Sequence, residues 1–282
     1  MTSIRYNAVL TTYSHMPIRA LLLILPLLFF LHACATSPDS SDDGKNWPAS
    51  RLYKAGKDAL KSGDYETAVK QFETLESRYP FGRFTQQAQL DVIYAYYKYD
   101  EPDSSVAAAN RFIKLYPRHP NVDYAYYMRG LANSTKGAST FDNILSLDPA
   151  ERDPRPAQDA FRYFSEVVQR FPDSRYAQDA AQHIIFLRNS LARHELHAAN
   201  YYLRRGAFVA AANRAKYVIE NFPRTSSVND ALALMIEAYE KVGLMDLAKD
   251  AFRVLAINNP QHPAVSTWQT RNPASAQTDG HL

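Results

Sequence analysis

The sequence predicts an all-α protein, a tetratricopeptide-like helix-hairpin solenoid of five repeats. Three observations predict it. Five phrases end in proline, at Pro80, Pro117, Pro172, Pro223 and Pro260, and superimposing them brings their neighbours into columns. Twelve positions before each proline the residue is small (Ala68, Ser105, Ala160, Ala211, Ala248); five before, it is apolar (Leu75, Phe112, Val167, Val218, Leu255). Glycine is scarce, at 9 of 282 residues, while Ala, Leu, Tyr and Phe are plentiful, which suits helices and not turn-rich sheets. Such self-similarity marks a chain built by stacking one supersecondary unit.

Each column has a physical role. Seventeen positions before the proline stand Gly63, Gly206 and Gly243, with Asp100 and Arg155 in the other two repeats. A glycine there ends the first helix, because the turn needs a left-handed backbone that glycine adopts cheaply. The small residue lets the second helix approach the first, and the apolar residues after it bury one face. Proline then stops the second helix, since it lacks an N–H and clashes with the preceding turn. Gly56, Ala68, Phe72 and Pro80 fit the later part of the tetratricopeptide pattern, with Leu52 in place of its tryptophan.

The elements follow in order. Residues 1–33 read as a lipoprotein signal peptide: Arg5 and Arg19 with no acid, then an apolar run from Ala20 to Leu31, then Ala33 before Cys34. That run is about a dozen residues, short of the roughly 20 that span a bilayer as a helix. Cys34, the only cysteine, is the expected lipidation site, carrying N-palmitoyl and S-diacylglycerol, and the mature chain keeps no thiol for a disulfide. Met16 is an alternative start, and Ala35 after the cysteine favours outer-membrane sorting. Residues 34–48, rich in Ser, Asp and Pro, read as a flexible lipidated tether.

The repeats are expected at about 49–80, 84–117, 121–172, 176–223 and 228–260. The third carries an insertion around 134–156, broken by Gly137, Pro149, Pro154 and Pro156. The fourth opens with a helix from about Tyr176 to Arg205, roughly 45 Å long, predicted to protrude from the stack. Residues 261–282, with Pro263 and Pro273 among small polar residues, are expected to form a disordered tail.

The sequence carries no signature of catalysis. There is no glycine-rich phosphate loop and no G-x-S-x-G elbow. His194, Glu195 and His197 form H-E-x-H, one residue short of the zinc motif's spacer, and read as a solvated helix surface. No metal or cofactor is implied. The net charge is +3, two of it from Arg5 and Arg19, so the mature body is near neutral overall and gives no basic footprint for nucleic acid. Two tyrosine clusters, Tyr94, Tyr96, Tyr97 and Tyr99, then Tyr124, Tyr126 and Tyr127, lie on first helices, where some must be core and some groove. Exposed tyrosines suit peptide recognition.

Several strings resemble one family: RYPFG (78–82), QLDVIYAYYK (89–98), RFIKLYPRHPN (111–121), DYAYYMRGL (123–131), RDPRPAQDAF (152–161) and RGAFVAAANR (205–214). They are similar to the YfiO/ComL lipoproteins of the outer-membrane β-barrel assembly machinery. The resemblance runs from about Trp47 to Pro260. It implies a non-catalytic, lipid-anchored component of the BAM complex at the outer membrane, facing the periplasm. Implied partners are the periplasmic domains of BamA, the lipoproteins BamC and BamE, and unfolded β-barrel precursors. On this chain, Arg214 is the candidate BamA contact, with an ordinary surface arginine as its alternative. Arg83, Tyr96 and Tyr97 are the candidates for a substrate groove. The competing function is another periplasmic tetratricopeptide scaffold, for example in cell-wall synthesis.

Overall fold

The computed structural model describes residues 46–136 and 148–273. The leader, Cys34 and most of the tether lie outside the described residues, as does the middle of the insertion. From Pro48 onward the helices are α1 (Ala49–Ser62), α2 (Tyr65–Arg78), α3 (Arg83–Lys98), α4 (Pro102–Leu115), α5 (Val122–Thr135), α6 (Arg155–Arg170), α7 (Ala177–Arg204), α8 (Phe208–Asn221), α9 (Ser227–Lys241), α10 (Met245–Asn258) and α11 (Pro263–Arg271). A 3₁₀ turn, Pro149–Glu151, precedes α6. Each helix from α1 to α10 packs on the next, giving five hairpins, and there is no strand among the described residues. First helices also touch one another, α1 with α3, α3 with α5, and α7 with α9, so they share a layer.

The columns are where the hairpins close. Ala68, Ser105, Ala160, Ala211 and Ala248 are wholly buried. Ser105, the polar one, donates its hydroxyl to the Ile93 carbonyl at 2.8 Å, so its burial leaves nothing unsatisfied. Eight positions before each proline the side chains alternate in size: Phe72, Ala109, Phe164, Ala215 and Phe252, all buried. In the first and third repeats the ring meets a glycine. A Cβ on Gly56 would lie 2.5 Å from the Phe72 ring, and one on Gly130 would lie 2.7 Å from Phe164.

Both turns of the hairpin follow from backbone chemistry. At Gly63 (φ 80) the chain reverses while the Asp64 N–H reaches back to the Ala59 carbonyl at 3.0 Å. Asp100 makes the equivalent turn with φ 61, tolerated because aspartate visits this region more readily than most residues. Arg155 does not; it opens α6, and the chain arrives there through the insertion. At the other end, Tyr79, Tyr116, Phe171 and Phe222 leave the helical region just before their prolines, each N–H still bonded to the carbonyl four residues back.

Helix α7 has 28 residues, about 42 Å. It does not simply protrude, because two hairpins share it. Its early part packs on α6, and Ala192, Leu196 and Ala199 form a core with Ala215 and Val218 of α8 and Ala231 and Leu234 of α9. Of its large apolar side chains, Ile185 and Phe186 are the two more than half exposed.

The expectation of a disordered 261–282 is overturned over Pro263–Arg271, which form α11. Val265 and Trp268 fill a core with Leu232, Ile236, Phe252 and Leu255, the Trp268 ring stacking on Phe252 at 5.4 Å. The last hairpin of a stack has no following repeat to cover its apolar edge, so a capping helix is needed. Polar neighbours hid two apolar residues at helical spacing.

Gly130→Ala tests the closest approach. Alanine gains about 0.5–1 kcal/mol of helix propensity, but overpacking typically costs about 1–3 kcal/mol. Phe164 cannot retreat, because His183 stacks on it at 4.6 Å and Tyr127 lies 5.9 Å away. The thermal midpoint is expected to fall by a few degrees, and pairing the change with Phe164→Leu should recover part of it. An unchanged or raised midpoint contradicts the tight contact.

Candidate partner- and peptide-binding surfaces

Along the first helices of repeats two to four, polar and aromatic residues pair three apart: Asp91 with Tyr94, Tyr124 with Tyr127, and Tyr176 with Asp179. That spacing puts each pair on one helix face. Tyr127 stacks on Tyr176 at 4.8 Å and donates its hydroxyl to Asp179 at 2.5 Å. Tyr124 lies 5.6 Å from Tyr176, and Tyr94 lies 6.5 Å from Tyr97. In the first repeat, the Tyr53 hydroxyl donates to Asp91 at 2.9 Å, and Lys57 ion-pairs with the same carboxylate at 3.1 Å. Beside these rings opens a groove of about 590 Å³, lined by Leu90, Asp91, Tyr124, Arg175 and Tyr176.

The electrostatics fix the phenols as donors. Burial pushes the ionisation of Tyr53, Tyr124 and Tyr127 well above the ordinary phenol range, and neighbouring Asp91 or Asp179 pushes it further. The face therefore offers neutral aromatic platforms interleaved with carboxylates. It can hold apolar side chains against the rings and accept hydrogen bonds from backbone N–H groups or cations.

The structure brings Tyr97 to this face but not Tyr96. Tyr96 donates its hydroxyl to Glu73 of α2, beside the Arg111–Glu76 ion pair at 3.0 Å, and so braces the other side of α3. Arg83 starts α3 at the groove's margin, its guanidinium 4.9 Å over the Phe84 ring, which in turn lies 5.7 Å from Tyr53. Sequence reasoning missed Tyr53, Asp91, Tyr176 and Asp179. The repeated three-residue spacing was the signal that could have found the last three.

Arg214 is half exposed on α8 and bound to Glu195 of α7 at 2.9 Å, with Glu195 largely buried. The hydrogen bond to Glu195, ahead of its charge, holds the guanidinium protonated more firmly than usual. Arg214 is thus a brace between two helices that also shows one side outward. His194 bonds the Ala150 carbonyl at 2.8 Å, and His197 lies 3.5 Å from Asp148, which also meets Arg193 at 3.3 Å. Asp148 is held below the ordinary carboxylate range, first by the Ala150 N–H and then by Arg193. His194, His197 and Arg193 therefore tie the end of the insertion to the middle of α7, while Glu195 serves the Arg214 brace. No group of three metal-ligating side chains occurs among the described residues.

The outer-membrane lipoprotein family YfiO matches residues 45–255. The chain is 42% identical over 255 residues to the outer membrane protein assembly factor BamD of Neisseria meningitidis serogroup A, covering 89% of this chain and 96% of that one. It is 43% identical over 248 residues to the serogroup B protein of the same name (87% and 93% covered). With BamD of Vibrio cholerae serotype O1 it shares 39% over 237 residues (84% and 96% covered).

Two outcomes follow from this geometry. Arg214→Ala should lower stability by about 0.5–1 kcal/mol, a modest figure because the arginine is half exposed. Adding Glu195→Gln should restore part of the loss; a double-mutant cycle with no coupling sinks the brace. In alkali, raised phenol values mean stability is complete below the unfolded value, about 10, and falls as pH rises beyond it. Absorbance of phenolate near about 295 nm should then complete its rise only as helical circular dichroism is lost, whereas full ionisation of a still-helical chain contradicts the buried donors.

Proposed function

The chain belongs to the YfiO family of outer-membrane lipoproteins, and from that premise we propose that it is an assembly factor of the outer-membrane β-barrel machinery. The observation that carries the reading is co-linear identity with such factors over nearly their whole length. The helical stack supports it, because stacked hairpins present broad faces suited to holding other polypeptides. The protein works by binding and not by turning over a substrate. It sits at the outer membrane, anchored by acyl chains on Cys34 and facing the periplasm, and the several chains added there suffice where one would be marginal.

The periplasmic domains of BamA dock on the C-terminal repeats, around Arg214 on α8. BamC and BamE bind elsewhere on the stack. Unfolded barrel precursors lie on the tyrosine face, where Tyr97 joins Tyr94, Tyr124, Tyr127 and Tyr176, with Arg83 at its margin. Neutral phenols and carboxylates suit an extended segment, whose aromatic side chains rest on the rings while its N–H groups find acceptors. The cell-wall scaffold is the weaker reading, since the relatives carry the assembly-factor name.

Solubilising membranes in mild detergent and recovering the tagged chain should bring down the barrel-assembly subunits. Recovery of cell-wall synthases without them rejects the proposal. Cys34→Ala should leave the body folded and release the processed chain from the membrane pellet; a processed variant that still pellets as the parent does shows that acylation is not the anchor.

A further inference from the structure

The hairpins have two edges, and their charges differ. In the first three repeats one edge gathers the links from each second helix to the next first helix (78–83, 115–122 and 170–177) and the chain entry into α1 at 46–51, because α1 is itself a first helix; the fourth link, 221–227, lies instead beside the middle of α7, where Ser226 and Ser227 share a cleft with Asp148. The segments of that edge hold six arginines, all exposed, and a single acid, Asp173. The opposite edge gathers the turns inside the hairpins. In the same three repeats its described segments (62–65, 98–102, 135–136 and 148–155) hold four basic residues against six carboxylates. The near-neutral whole thus hides one strongly basic edge.

Acids close to that edge are already engaged. Asp123 accepts from the Ser174 hydroxyl at 2.6 Å, and Asp179 from Tyr127 at 2.5 Å. On the same edge Phe81 stands 88% exposed, the most exposed large apolar side chain among the described residues. It tips the loop between Pro80 and Gly82, beside Arg83. An aromatic tip among arginines fits a headgroup layer, where the ring enters the interface and guanidinium groups meet phosphates.

We propose that this edge docks on an anionic phospholipid surface, laying the first three hairpins along the membrane. Charge complementarity argues for lipid, and so does chain length: Cys34 is only 14 residues from Pro48, at most about 50 Å even fully extended. The edge through which the chain enters α1 is therefore the one an acyl anchor would hold near the bilayer, and in this respect the inference rests on the anchor proposed for Cys34. Docked so, the tyrosine face stays open sideways for a polypeptide, and the helix-turn edge faces the periplasm.

The test uses the chain from residue 35 onward, which carries no acyl group, so its result is separable from the fate of Cys34. It is sedimented with vesicles of phosphatidylethanolamine and phosphatidylglycerol, and with vesicles of phosphatidylcholine alone. Binding is expected to the anionic vesicles, weakening as salt rises. Reversing Arg83 and Arg118 to Glu together should weaken it at least about twentyfold, since each basic residue near such a surface contributes roughly fivefold. Reversing Lys98 and Arg155 on the opposite edge should change it little. Phe81→Trp should give an emission blue shift on anionic vesicles beyond that of the parent. Absence of vesicle binding, or equal loss from both edges, overturns the proposal; binding to polyglutamate but not to vesicles would instead assign the edge to an acidic protein. Vesicle binding alongside an unmodified Cys34 in the native membrane would keep the edge and discard the anchor.

Discussion

The close approach of the two helices in each hairpin is the constraint on which the rest depends. A wholly buried small residue at one position, and a ring against glycine at another, let backbones meet where larger side chains would hold them apart. The alternation of Phe72, Ala109, Phe164, Ala215 and Phe252 means that the volume at this layer is not constant. It is balanced from the facing helix where Gly56 and Gly130 admit the rings, and in the second repeat the buried Ile93 stands as far before its proline as Gly56 does. Because every hairpin closes this way, the first helices can form one layer, and a binding face can cross several repeats.

Helix α7 is the joint between the two ends of the stack. A helix spanning two hairpins transmits their relative orientation as a rigid element, and its middle is fixed to the end of the insertion by His194, His197 and Arg193. The tyrosine face begins at its first turn, where Tyr176 and Asp179 meet Tyr127 of α5. The Arg214–Glu195 brace lies toward its other end. The two surfaces proposed for substrate and for BamA thus share one helix, which gives a physical route for coupling between them.

Much of the fold was legible in the sequence because its determinants are local. Gly63, Gly206 and Gly243 mark turns by a backbone need that belongs to one residue, and each proline stops its helix for a reason that needs no tertiary partner. The candidate site was legible only in part. Tyr96 and Tyr97 are adjacent in the sequence and chemically alike, yet one bonds Glu73 on the far side of α3 and the other joins the tyrosine face. A 100° step around a helix separates them, and its phase depends on which side the neighbouring hairpin covers. The tail was misread for the same reason: Val265 and Trp268 make a helix only because the last hairpin leaves them a core to fill.

By itself, then, the sequence determined the repeated unit: where helices start and stop, which positions must be small, and which residues resemble an assembly lipoprotein. Only the tertiary structure decided what the units make together. The tyrosine face is drawn from three helices, the arginine edge from three links and the chain entry, and the Arg214 brace from two helices. Such surfaces arise from residues far apart in sequence whose meeting depends on how hairpins stack, and stacking is a property of packed volumes that no single repeat encodes.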